Sequence, residues 1–230
     1  MSDRNILTRR VVRRGLAGHL FIGMLVFGSA RTFHFWQGWA LIILQLTAGT
    51  WIGVYFLKHD PELLGRRLIL KEKVFQQRII VLLWRIVGGA ALVLAGDDYR
   101  CGWSRRVVGL VPVWLECLAW LVILGGDVLL FEVMKANSFA ASIIQIETTQ
   151  SVIATGPYRI VRHPMYVAFL AIGLVAPLAL GSYIAAGLAL LIIPLVVIRL
   201  LNEEKMLHRD LTGYTEYCGQ TRFRLIPFVW

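Results

Sequence analysis

Six stretches of the chain are dominated by apolar residues: Leu16–Ala30, Trp39–Leu57, Ile79–Gly96, Val107–Met134, Met165–Leu180 and Ile184–Leu201. Each is apolar nearly all round rather than on one stripe, which is the pattern of helices in lipid or in a deep core. A hydrocarbon core about 30 Å thick needs roughly 20 helical residues to cross it. The first and fifth stretches fall short of that, so the pattern predicts five or six crossings. Only Gly181-Ser182-Tyr183 separates the last two. They therefore form a helical hairpin whose ends return to the same side.

Composition supports a membrane setting. Of the 230 residues 57% are hydrophobic, yet the formal charge is +10, and the mean hydropathy is +0.66. The arginines cluster beside apolar spans and no nucleic-acid recognition motif accompanies them, so the bilayer surface, not nucleic acid, is the expected partner. With six spans, 18 Lys and Arg fall on one side and 4 on the other. That asymmetry predicts both termini in the cytoplasm. No small-residue cleavage site follows the first apolar run, which reads as a retained span. Cys101, Cys117 and Cys218 have neither disulfide nor metal-ligand spacing, and no metal is expected.

Polar residues inside spans are costly in lipid. Arg85, Glu116, Asp127 and Glu132 are of this kind, and an interhelical pair between Arg85 and an acid of the fourth span is the expected solution. Asp97-Asp98-Tyr99-Arg100 reads as an exterior turn without chemistry. The basic segment from Asp60 to Arg78 reads as an amphipathic stretch lying along the interface.

The chain divides into N-terminal spans over 1–136 and a more polar, motif-rich region over 137–230, within one membrane domain. The second part carries Asn137-Ser138-Phe139, Gln150, Gly156-Pro157-Tyr158-Arg159 and Arg162-His163-Pro164-Met165-Tyr166. Pro164 disfavours helix at His163 but suits the first helical position. Free backbone N–H groups at that helix start, with Arg162 beside them, make an anion site. Taken alone, Arg159, Arg162, His163, Tyr158 and Tyr166 also fit interfacial anchors. At the far end of the hairpin stand Glu203 and Glu204, four residues from Arg199 and His208 respectively, so local pairing is open to both. From Ile184 to Glu204 is roughly 31 Å of helix, which brings the acids out where the hydrocarbon ends. Pro194 is a candidate kink. The basic and aromatic tail, Thr221 to Trp230, is expected to pack over the hairpin mouth.

Together these pieces, with Thr155, Tyr214, Tyr217 and Arg224-Leu225-Ile226-Pro227, resemble the isoprenylcysteine carboxyl methyltransferase family and its phospholipid methyltransferase relatives. The resemblance covers about the C-terminal two fifths of the chain. It implies an all-α integral membrane enzyme, five or six transmembrane helices with a C-terminal hairpin and a cytoplasmic pocket for S-adenosylmethionine, and methyl transfer to a lipophilic acceptor. A bacterial inner membrane is the expected location. On this reading Arg162, Glu203 and Glu204 are the candidate catalytic residues. His163, Pro164, Tyr166, Glu203, Glu204, Gln150 and Tyr158 are the candidate cofactor-binding residues. Acids suit the cofactor's ribose hydroxyls or ammonium; His163, Tyr166 and the helix start suit its carboxylate or adenine. A carboxylate acceptor needs no general base, whereas an amine acceptor does. Two rival classes are a nicotinamide-dependent membrane sterol reductase, usually longer, and a non-enzymatic lipid-binding or transport protein, for which an inverted repeat would be expected.

Overall fold

The computed structural model describes residues 3–68, 74–139 and 151–230. Among these residues the secondary structure is entirely helical. The long helices are α1 (Asp3–Ala30), α2 (Trp36–His59), α4 (Phe75–Cys101) and α6 (Val113–Ala136), with short α3 (Pro61–Arg67) and α5 (Trp103–Val107) between them. A single 3₁₀ turn (Gly156–Arg159) then leads to α7 (Pro164–Ala179), α8 (Tyr183–Ala189), α9 (Ile192–Asp210) and α10 (Tyr214–Gln220). Among the described residues five helical stretches are long and apolar enough to cross a membrane: α1, α2, α4, α6 and α8–α9 together; α7 is a shorter apolar helix.

Several boundaries differ from the expectation. The first helix starts at Asp3 rather than Leu16, so it is not short; Arg4 and Arg14 are held on its extension by the carbonyls of Leu57 and Leu68. The fourth span starts at Val113, because Gly109 at φ +116° and Pro112 keep the chain out of helix just before it. Residues 97–100 are not a turn but the last turn of α4, which ends at Gly102 in the left-handed conformation. Asp98 there is buried, and its carboxylate accepts from the Ser104 amide at 2.7 Å, the Ser104 hydroxyl and the Ser182 hydroxyl at 2.5 Å. A helix that ends on a fully bonded carboxylate continues through two aspartates that a solvated turn would otherwise claim.

The expected pair between Arg85 and an acid of α6 does not form. Arg85 is exposed in a row with Leu82, Leu83 and Ile86, so α4 turns it outward. Asp127, buried in α6, instead accepts from Gln45 of α2 at 2.9 Å, and Glu116 bonds Gln37. Both acids thus find neutral amide partners.

Packing places the site. Helices α1 and α4 approach so closely at Gly96 that a Cβ there would run into the Val26 carbonyl at 2.5 Å. Helices α6 and α7 share the most extensive helix–helix contact. One apolar core, with Val26, Phe35, Leu41, Ala95, Ile123 and Ala179, joins α1, α2, α4, α6 and α7. A second, with Ala91, Tyr166, Ile192, Val196, Leu200 and Leu225, joins α4, α7, α9 and the tail. Large side chains such as Leu20, Ile43, Leu82 and Leu121 point outward instead, as lipid-facing residues do. The break between α8 and α9 falls at Leu190–Leu191, where backbone bonds shorten to the i→i−3 pattern. Pro194 lies just beyond and cannot donate to Leu190, which is why the helix breaks there.

Candidate functional site

The start of α7 and the end of α9 meet at one end of the bundle, as the hairpin geometry requires. His163 precedes α7 with φ −124° and ψ 60°, and Pro164 takes the first helical position. The preceding pair is fixed by the tail: the Arg162 amide donates to the Phe223 carbonyl at 2.8 Å and the His163 amide to the Arg224 carbonyl at 3.0 Å. The tail then folds back, with the amides of Arg224, Leu225 and Ile226 directed at the Trp230 carbonyl. The expected packing of the tail over the hairpin is therefore observed.

Glu204 is the centre of a buried cluster. Its Oε1 lies 2.9 Å from Arg162 Nη1 and 3.3 Å from His163 Nε2, and its Oε2 accepts from Arg224 Nε at 2.8 Å. The local partner offered by sequence, His208, is turned instead toward Thr215 and Cys218. Tertiary partners win because a buried carboxylate must be matched by charge and by several donors, and one residue on its own helix supplies too few. Arg162 also reaches the Cys218 sulfur at 3.2 Å and the Arg222 carbonyl at 3.1 Å.

Glu203, the residue just before it, serves a separate network. The Tyr166 hydroxyl donates to Glu203 Oε2 at 2.5 Å, and Arg199 Nε donates to that hydroxyl at 3.1 Å. Arg199 in turn gives Nη1 to Gln77 Oε1 at 3.2 Å. Two consecutive acids thus bind different parts of the protein.

Tyr158 sits to one side, its hydroxyl accepting from Asn137 Nδ2 at 3.0 Å while its carbonyl accepts from Tyr217 and Thr221. Burial, together with the Glu203 charge, pushes its phenol up to about 12, against opposing pulls from the Asn137 bond and Arg67. Tyr214 and Tyr217 of α10 are likewise raised by burial, Tyr214 further by the charge of Glu204. These hydroxyls stay neutral near pH 7; that of Tyr217 is already committed to the Tyr158 carbonyl, whereas that of Tyr214 has no partner among the described residues. Burial lowers Arg67 of α3, whose Nη1 lies 3.7 Å from the Met165 sulfur.

Of the sequence-predicted residues, Arg162, His163, Pro164, Tyr166, Glu203 and Glu204 come together directly. Tyr158 flanks them, and Gln150 lies outside the described residues. Arg224, Arg199, Gln77 and Tyr214 were not among the candidates. Arg224 had a signal, since it lies in the tail stretch that carries the resemblance. Gln77 had almost none, as a polar residue ahead of an apolar run reads as interfacial.

Two buried polar atoms at this end have no hydrogen-bond partner among the described residues: Arg162 Nε and the Tyr214 hydroxyl. Buried donors are seldom left unmatched. Both suit an anionic group on a bound molecule, and the carboxylates suit its hydroxyls or ammonium.

The fold and this cluster define a multi-span helical membrane protein with a polar site at one end of the bundle. Residues 117–209 match the model of the isoprenylcysteine carboxyl methyltransferase (ICMT) family. Over this segment, which includes both ends of the hairpin, the chain is similar to that family. No curated protein matches the chain significantly.

Proposed function

We propose that the protein transfers a methyl group from S-adenosylmethionine to a lipophilic acceptor at the cytoplasmic face of the membrane. The observation that carries this reading is the Glu204 cluster, where three residues from the α7 entry and the tail converge on one buried acid of the family-matched segment. Residues 137–230 form the catalytic region and residues 1–136 its frame.

The residues present fit the cofactor. Arg162 Nε and the Tyr214 hydroxyl are unmatched donors for its carboxylate, and Glu203 and Glu204 are acceptors for its ammonium or ribose hydroxyls. Tyr166, His163 and the α7 start that Pro164 opens line the same end, with Tyr158 beside them; Gln150, outside the described residues, is a candidate from the sequence only. When bound, S-adenosylmethionine supplies an electrophilic methyl on a sulfonium. The protein's part is then orientation and exclusion of water. Arg162 and Arg224 fix the Glu204 carboxylate, and Arg162 also draws in an anionic acceptor. An isoprenylcysteine-like carboxylate arrives ionised and gives up no proton.

Amine methylation is the second reading, favoured by the 3.3 Å approach of His163 Nε2 to Glu204. An imidazole held against a carboxylate is placed to take a proton from an attacking amine.

The test is calorimetric titration of detergent-purified protein with S-adenosylmethionine and its demethylated product, beside the Glu204→Gln variant. Wild type should bind both, and the variant at least about ten-fold more weakly, since a charge-assisted bond is lost within a buried network. Absence of binding by folded wild type would overturn the proposal.

A further inference from the structure

Gln77 lies outside the family-matched segment, in the first turn of α4, yet it is almost completely buried, at 1% exposure. Its Oε1 accepts from Nη1 of Arg199, itself 5% exposed. A guanidinium among the apolar residues of α9 is costly unless its donors are matched. Gln77 matches one of them, and α4, the helix that presents it, is locked to α1 at Gly96 and to α8 and α9 by packing.

The polarity of the chain from Arg199 onward is fixed by chemistry. A guanidinium only donates, so the Tyr166 oxygen must accept from Arg199 Nε. Its one proton is then directed at Glu203 Oε2, the bond seen at 2.5 Å. Gln77 thus helps fix where Arg199 points, Arg199 orients the Tyr166 hydroxyl, and that hydroxyl holds the Glu203 carboxylate.

We infer that Gln77 is a positioning residue for the methyl-transfer site, acting on Glu203 through Arg199 and Tyr166. The inference rests on the proposed methyltransferase activity. It makes the N-terminal frame a working part of the site. A Gln77→Leu substitution removes this acceptor at similar volume and leaves the Nη1 donor of Arg199 without it, while Gln77→Glu keeps an acceptor at the same place.

The experiment is steady-state methyl transfer by purified full-length protein in lipid nanodiscs, with S-adenosylmethionine varied against a saturating small prenylated thiol acid as acceptor. Thermal unfolding of each variant is recorded alongside. Gln77→Leu should lower kcat/KM for S-adenosylmethionine about ten-fold, chiefly through KM, and Gln77→Glu should return to within about three-fold of wild type. In a Tyr166→Phe background the relay is already cut, so Gln77→Leu should add little further loss. A Gln77→Leu protein with unchanged KM, or with only a lowered unfolding temperature and a smaller active fraction, overturns the inference while leaving the activity standing. Full additivity with Tyr166→Phe also overturns it. Wild type that binds no S-adenosylmethionine overturns both proposals.

Discussion

At the scale of single residues, the site is governed by which partner reaches a buried group first. Glu204 ignores the histidine four residues along its own helix and takes Arg162, His163 and Arg224. Tyr158 shows the same logic with a neutral group. Its phenol is raised from 10.0 to about 12. In the unfolded chain it ionises near pH 10, whereas in the folded protein it resists until about 12. Its contribution to stability is therefore complete below pH 10 and is lost as pH rises through 12. Thermal unfolding in detergent from pH 9 to 12 should show a decline over that window, shallower in Tyr158→Phe than in wild type.

Residue identity was legible where spacing carried it. Arg162-His163-Pro164 announces a helix start and Glu203-Glu204 a helix exit, because both depend on local rules. Arg224 was not legible as a partner of Glu204, since nothing local says that the tail reverses to present it. Gln77 was invisible for the same reason: its partner is far off in the chain, and a glutamine before an apolar run has an ordinary interfacial explanation.

At the scale of elements, apolar runs predicted the long helices well and their ends poorly. Ends are set by single polar contacts, and Asp98 is the clearest case. It closes α4, anchors Ser104 of α5 and holds Ser182 at the start of α8. Asp98→Ala would leave three buried donors unmatched and should destabilise the fold by about 2–4 kcal/mol. The bundle end it occupies is opposite the site. A thermal melt should fall clearly in this variant, while the affinity for S-adenosylmethionine in the surviving folded protein stays near that of wild type. Equal loss of both would mean that the two ends are not separable.

At the scale of the whole molecule, the bundle has two unlike ends. The basic extension of α1 meets the carbonyls of Leu57 and Leu68, and Arg66 of α3 reaches the Ser138 carbonyl, all at the end that carries Glu204. At the other end are the Asp98 latch and a stacked Phe35–Tyr99 pair. The excess of Lys and Arg at the first end predicts that it faces the cytoplasm. Fusing a fluorescent protein that matures only in the cytoplasm to the C-terminus should give fluorescent cells, and fusing a periplasm-dependent phosphatase there should give no activity. The reverse result would place the site on the far side of the membrane.

Glu203 and Glu204 sit on one rigid turn of α9, about 100° apart around its axis. Their Cα positions cannot turn independently about the helix axis. A molecule that seats against Glu204 and rotates the helix by even a little also pulls on Tyr166, Arg199 and Gln77, and so on α4. One helical turn thus splices the tail to the frame: Glu204 ties it to Arg162, His163 and Arg224, and Glu203 ties it through Tyr166 and Arg199 to Gln77 of α4.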